Sequence, residues 1–255
     1  MALGLGVAPP VISGRSRSSL VAGDGIYQSL TNPVFADVSA SNTHVNLQSH
    51  VNLAVGDFHG YAEIYHTTSS PIAAFGADMI DYLTLQGPGT AAIPVTMTLH
   101  VDGKYIYDQN LTLQQNIDMK TDRFLTFGTG KREFTADYNR SNNGTQGDYF
   151  TFTPTGTVIQ TTVTKDFIDV TLEVTQMMSP GDSLRFEGNV NGQCTTQFGA
   201  ACAEDYMNTG QMGVVLPQGY SFTSYSGVFL TAAPEPAPFV LFGLGVVALI
   251  LRRRA

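Results

Sequence analysis

Ile168-Asp169-Val170-Thr171-Leu172-Glu173-Val174-Thr175 alternates apolar and polar side chains without interruption. A period of two puts the four aliphatic residues on one face of an extended strand, whereas a helix would scatter them around its circumference. Pro180-Gly181-Asp182 follows as a turn, because proline presets φ and glycine accepts a left-handed position. Leu184, Phe186 and Val190 then alternate with Arg185, Glu187 and Asn189. Upstream, Val95, Met97, Leu99 and Val101 alternate with Thr96, Thr98 and His100. Asp102-Gly103 comes next, a dipeptide suited to a two-residue type I′ turn, so Lys104 to Tyr107 is expected to return antiparallel. Residues 61–66, 79–85, 157–163 and 213–216 are further strand candidates, and 139–147 reads as a polar loop. No soluble window carries an apolar i, i+3, i+4, i+7 stripe, so the expected architecture is all-β, an antiparallel β-sandwich of jelly-roll type.

The 255 residues, 43% hydrophobic and 13% charged, suffice for one substantial core. Thirteen basic against 21 acidic residues give a net charge of -8. With no basic run before the C-terminal end, nucleic acid is not an expected partner.

The C-terminal end has three parts. Pro234-Glu235-Pro236-Ala237-Pro238 is followed by 13 residues without a polar side chain, from Phe239 to Leu251, and then by Arg252, Arg253 and Arg254. As a helix the run is about 20 Å long at ~1.5 Å per residue, short of a hydrocarbon core of about 30 Å. Snorkelling arginines and local bilayer thinning make a short transmembrane helix feasible. A buried core helix is the alternative, set against it by the flanking prolines and the terminal arginines. Arginines stay on the cytoplasmic side, which places everything before Pro234 outside.

Pro234-Glu235-Pro236, the apolar run and the arginine triplet together resemble the PEP-CTERM sorting signal of Gram-negative bacterial surface proteins. Segments 82–103 and 205–231 are more loosely similar to the β ectodomains that precede such signals, a type with no assigned activity. The resemblance implies an exported protein, recognised and cleaved by an exosortase, a membrane-embedded cysteine transpeptidase-like enzyme, and destined for the cell surface or an exopolysaccharide matrix. It implies Pro234, Glu235 and Pro236 as recognition residues, Phe239 to Leu251 as membrane stop and Arg252 to Arg254 as cytoplasmic anchor. The expected organisation is an N-terminal arm over 1–19, a β-sandwich over 20–231 and the sorting signal over 232–255. Met1 to Val11 lacks Lys and Arg, so residues 3–8 read either as the end of a signal-peptide apolar region begun upstream or as part of a flexible arm.

Cys194 and Cys202 sit eight residues apart without a neighbouring histidine, poor zinc chemistry but a candidate local disulfide in an oxidising compartment. Two unconnected thiols are the alternative. His44, His50, His59 and His66 match no metal-ligand spacing, and His100 falls on the polar face of its strand. No nucleophile elbow, zincin motif, Walker loop or dinucleotide fingerprint occurs, so a non-enzymatic protein without a cofactor is expected. The alternative is a carbohydrate-binding or calcium-dependent adhesion module. Its residues would be Tyr61, Tyr65, Tyr105 and Tyr107 for sugar, and Asp78 with Asp81, Asp118 with Asp122, or Asp102 with Asp108 for calcium. A hydrolase stands third, since a carboxylate pair is spatial and invisible in sequence.

Overall fold

The computed structural model describes residues 15–22, 26–65, 71–112, 114–141, 148–156 and 158–230. They form β1 (Arg15–Ala22), β2 (Tyr27–Asn32), β3 (Phe35–Ser41), β4 (Val45–Asn52), β5 (Asp57–Ile64), β6 (Ile72–Gln86), β7 (Ile93–Tyr107) and β8 (Asn116–Phe127). These are followed by β9 (Gly130–Ser141), β10 (Tyr149–Thr155), β11 (Val158–Val163), β12 (Phe167–Met178), β13 (Ser183–Gln197), β14 (Cys202–Val215) and β15 (Ser221–Ser224). β10, β9, β8, β13, β6, β1 and β2 pair in that order in one sheet, with β15 added alongside β6. β11, β12, β7, β14, β5, β4 and β3 make the other. All pairings are antiparallel, and the two sheets pack face to face as a sandwich.

The alternation read from sequence decides which side chains enter the core. Ile168, Val170, Leu172 and Val174 of β12 lie beside Val95, Met97, Leu99 and Val101 of β7, all buried, with Val170 opposite Val101 and Leu172 opposite Leu99. Each such aliphatic contributes roughly 1.5–3 kcal/mol by leaving water. The long strands are nested: β5 pairs with β14, β6 with β13 and β7 with β12, successive pairs falling in alternate sheets.

The turn at Pro180-Gly181 forms as read. Gly181 takes φ +93°, and the Asp182 amide donates to the Ser179 carbonyl at 2.9 Å. The expected turn at Asp102-Gly103 does not. β7 runs straight through, with Asp102 opposite Asp169 and Gly103 opposite Ile168. Gly103 serves close packing instead: a Cβ there would lie 2.0 Å from the Tyr206 ring. At the N-terminus, β1 begins at Arg15, so sheet structure reaches into the segment read as an arm. Residues 139–141 of the expected polar loop belong to β9, and 142–147 lie outside the described residues.

Candidate functional site

Pro234, Glu235, Pro236, the run from Phe239 to Leu251, Arg252, Arg253 and Arg254 all lie outside the described residues, as does His66. Among the described residues no helix is long and apolar enough to cross a membrane.

Cys194 and Cys202 are joined in a disulfide with their Cα atoms 6.3 Å apart. Cys194 belongs to β13 and Cys202 to β14, so the bond links the two sheets where the chain crosses between them. Phe198 and Gly199 take φ of 55° and 86° in that crossover.

Continuity of β7 also decides the tyrosines. Without a reversal at Gly103, the inward parity of Val95 to Val101 carries on to Tyr105 and Tyr107, which are 4% and 7% exposed. They pack around Tyr138, with ring centroids 6.5 and 4.7 Å away. The Tyr105 hydroxyl donates to the Ala136 carbonyl at 3.2 Å and the Tyr107 hydroxyl to Asp166 at 2.5 Å. They are core residues, unavailable as an outward platform. Tyr61 and Tyr65 do face outward, on the outer side of the seven-stranded sheet. Their hydroxyls are both hydrogen-bonded to Glu63, between them on β5, and Tyr65 is bonded also to Asn46. Burial, followed by Glu63, pushes the Tyr61 phenol up. Across the neighbouring β14, Ala203 lies opposite Glu63 on one side and Ile106 on the other. Its small side chain leaves an open cavity of about 240 Å³ between Tyr65 and Ile106.

Further along the same outer face, His50 of β4 is directly opposite His59 of β5, their ring centroids 5.3 Å apart. The Nε2 atoms of His50 and His59 lie 3.6 and 3.5 Å from the two oxygens of Asp57. The Asp57 carboxylate beside it raises the His50 pKa against the opposing effect of burial. Burial works to raise Asp57, but the two histidines outweigh it and hold the carboxyl down at about 2. His100 faces outward, its Nδ1 3.1 Å from the Thr171 hydroxyl.

The calcium pairs are dispersed. Asp78 is on the outer face of β6, whereas Asp81 points inward and accepts from the Tyr82 amide at 2.8 Å and the Ser226 amide at 3.1 Å. Asp118 and Asp122 share a face of β8, but Asp122 is ion-paired with Lys120 at 3.6 Å and accepts from Thr135 at 2.8 Å. Asp102 sits within β7, while Asp108, just past its end, accepts from the Ala201 amide at 2.9 Å. Among the described residues no group of three or more His, Cys, Asp or Glu is placed to hold a metal ion.

The sequence reading missed an interior charged cluster. Arg123 of β8 is fully buried; its Nη1 donates to the carbonyls of Asp122, at 2.8 Å, and Asn191. The guanidinium lies 4.2 Å from the centroid of the Tyr206 ring. Glu204, also buried, accepts from Thr121 at 3.0 Å, and that hydroxyl lies 2.9 Å from the Tyr206 hydroxyl. Burial pushes the Glu204 carboxyl well above the ordinary carboxylate range, opposed chiefly by Arg123. The signal was parity: Arg123 shares the inward parity of Met119, Thr121 and Leu125.

No protein-family model, no curated protein and no solved structure matches the chain.

Proposed function

We propose that this chain is an exported cell-envelope protein, a jelly-roll-like β-sandwich delivered to the cell surface or extracellular matrix through its C-terminal sorting signal. The observation that carries the reading is the ordered tripartite end: Pro234-Glu235-Pro236, the apolar run from Phe239 to Leu251, and Arg252 to Arg254. In this reading the apolar run forms a short membrane helix with the arginines on the cytoplasmic side. An exosortase-like enzyme then cleaves near the Pro-Glu-Pro segment and releases the ectodomain. The Cys194–Cys202 disulfide supports an extracytoplasmic location, because thiols are kept reduced in the cytosol. The nested pairing of β5, β6 and β7 with β14, β13 and β12 supports the jelly-roll assignment. The role is structural or matrix-associated rather than enzymatic.

Intact mass and cell fractionation, in a host with an exosortase and in a matched deletion strain, test the reading. Loss of the tail and departure from the membrane only where the enzyme is present is the expected result. An intact tail and membrane retention in both strains would refute sorting and leave a simple C-terminally anchored protein.

A further inference from the structure

We propose that His50, His59 and Met207 form a binding site for a copper(I) ion on the outer face of the seven-stranded sheet. This goes beyond the sorting reading and does not depend on the tail. His50 and His59 are nine residues apart in the chain, a separation without meaning until β4 and β5 pair. Antiparallel register then sets them directly opposite each other on one face, half-buried, with ring centroids 5.3 Å apart. The third strand of the site is β14, whose register shifts at this point. Tyr206 lies opposite Gly60 and Gly210 opposite Phe58, so residues 207–209 span the single position across from His59. A bulge of this kind bends the strand and re-aims its side chains. The Met207 amide donates to Asp205 at 3.2 Å, which fixes the start of the bulge. Met207, His50 and His59 line one surface cavity of about 280 Å³, together with Asp37, Gln48 and Ser49.

The placement of Asp57 decides which ring nitrogens face this cavity. Its two oxygens lie 3.6 and 3.5 Å from the Nε2 atoms of His50 and His59, and Asp57 itself stands outside the cavity wall. An imidazole carries its two nitrogens on opposite edges, so Nδ1 is left on the cavity side of each ring. The Nδ1 of His50 is 3.9 Å from Asp37, which belongs to that wall. A carboxylate on the far nitrogen is the arrangement that fixes a histidine's tautomer and orients it toward a metal. Here a single carboxylate serves both rings. Since no group of three His, Cys, Asp or Glu is placed to hold a metal among the described residues, the third donor is of another kind, and the Met207 thioether is in place. That donor selects the ion. Thioether sulfur is soft and favours copper(I), and imidazole suits copper as well, whereas zinc takes thiolate, imidazole or carboxylate. Both cysteines are held in the disulfide, so no thiolate competes. Asp37 and Asp57 add negative charge beside the cation.

The test uses the full-length chain in a zwitterionic detergent. It is titrated calorimetrically and without oxygen with copper(I) stabilised by acetonitrile, and separately with zinc(II). A single site that prefers copper(I) is expected. Met207→Leu keeps the bulk but removes the sulfur, and should weaken copper(I) about tenfold or more while leaving zinc(II) within about threefold. His50→Ala and His59→Ala should each weaken copper(I) about a hundredfold, and Asp57→Asn, which acts through the rings, about tenfold. His100→Ala and Met177→Leu change the same donor types on β7 and β12 and should leave binding unchanged. Metal-free Met207→Leu should melt with the native chain, since its shape is kept. Absence of copper(I) binding overturns the proposal. So does undiminished affinity in Met207→Leu or in both histidine variants, which places the ion elsewhere, or tighter binding of zinc(II) than of copper(I).

Discussion

Replacing Arg123 by methionine tests the interior charged cluster, because the cost should depend on pH in a direction the structure dictates. Arg123 is fully buried, donates to two strand carbonyls and is the main influence holding the Glu204 carboxyl down against its own burial. In Arg123→Met that influence is gone, and the Glu204 pKa rises further. A carboxyl whose folded pKa is raised contributes stability fully present below its ordinary value of 4.5, and lost as pH rises through the folded value. Near pH 4.5 the variant therefore loses mainly the charged hydrogen bonds and the stacking on Tyr206. At pH 8 it also pays to keep an uncompensated carboxylate buried, for a total of about 3–5 kcal/mol. At about 2–4 °C per kcal/mol for a domain this size, Tm should fall by roughly 6–20 °C. Urea unfolding at pH 4.5 and pH 8 measures both, and adding Glu204→Gln should recover most of the extra loss at pH 8. A loss under about 1 kcal/mol at pH 8, or the same loss at both pH values, would refute the reasoning.

The outer histidine pair carries an opposite pair of pH signatures. His50, raised from 6.5 by Asp57, contributes stability present below 6.5 and lost as pH rises through its folded value, while Asp57, lowered from 3.8 to about 2, contributes stability present above 3.8 and lost as pH falls through about 2. Asp57→Asn should flatten both ends of the stability profile, and a profile identical to the native one would remove this pair as their source. Gly103→Ala forces a methyl to within 2.0 Å of the Tyr206 ring and should cost about 1–3 kcal/mol in denaturant unfolding. A change below about 0.5 kcal/mol would mean that Gly103 is not there for packing. Reducing the Cys194–Cys202 bond opens a short loop and should cost about 2–3 kcal/mol. Melting with and without dithiothreitol, alongside Cys194→Ser/Cys202→Ser, measures it, and equal Tm values would assign the bond no role in stability.

Sequence alone determined the elements whose cause is local. The alternation of Ile168 to Thr175 and of Val95 to Val101 set strand and inward face together, because a two-residue period is legible in any extended segment. Pro180-Gly181 determined its turn, because both residues act through their own φ. Asp102-Gly103 has the same local chemistry, yet only tertiary structure decided its fate. Strand β12 pairs with β7 through those residues, β14 pairs with β7 on either side of them, at Lys104 and Val101, and the ring of Tyr206, about a hundred positions away, occupies the space a Cβ would need. That non-local continuity then carried Tyr105 and Tyr107 into the core. Likewise the cavity between Tyr65 and Ile106 is bounded by strands brought together only because β14 inserts between β5 and β7. Which face a strand buries follows from its own sequence, but which strand lies beside it follows from packing the whole sandwich at once.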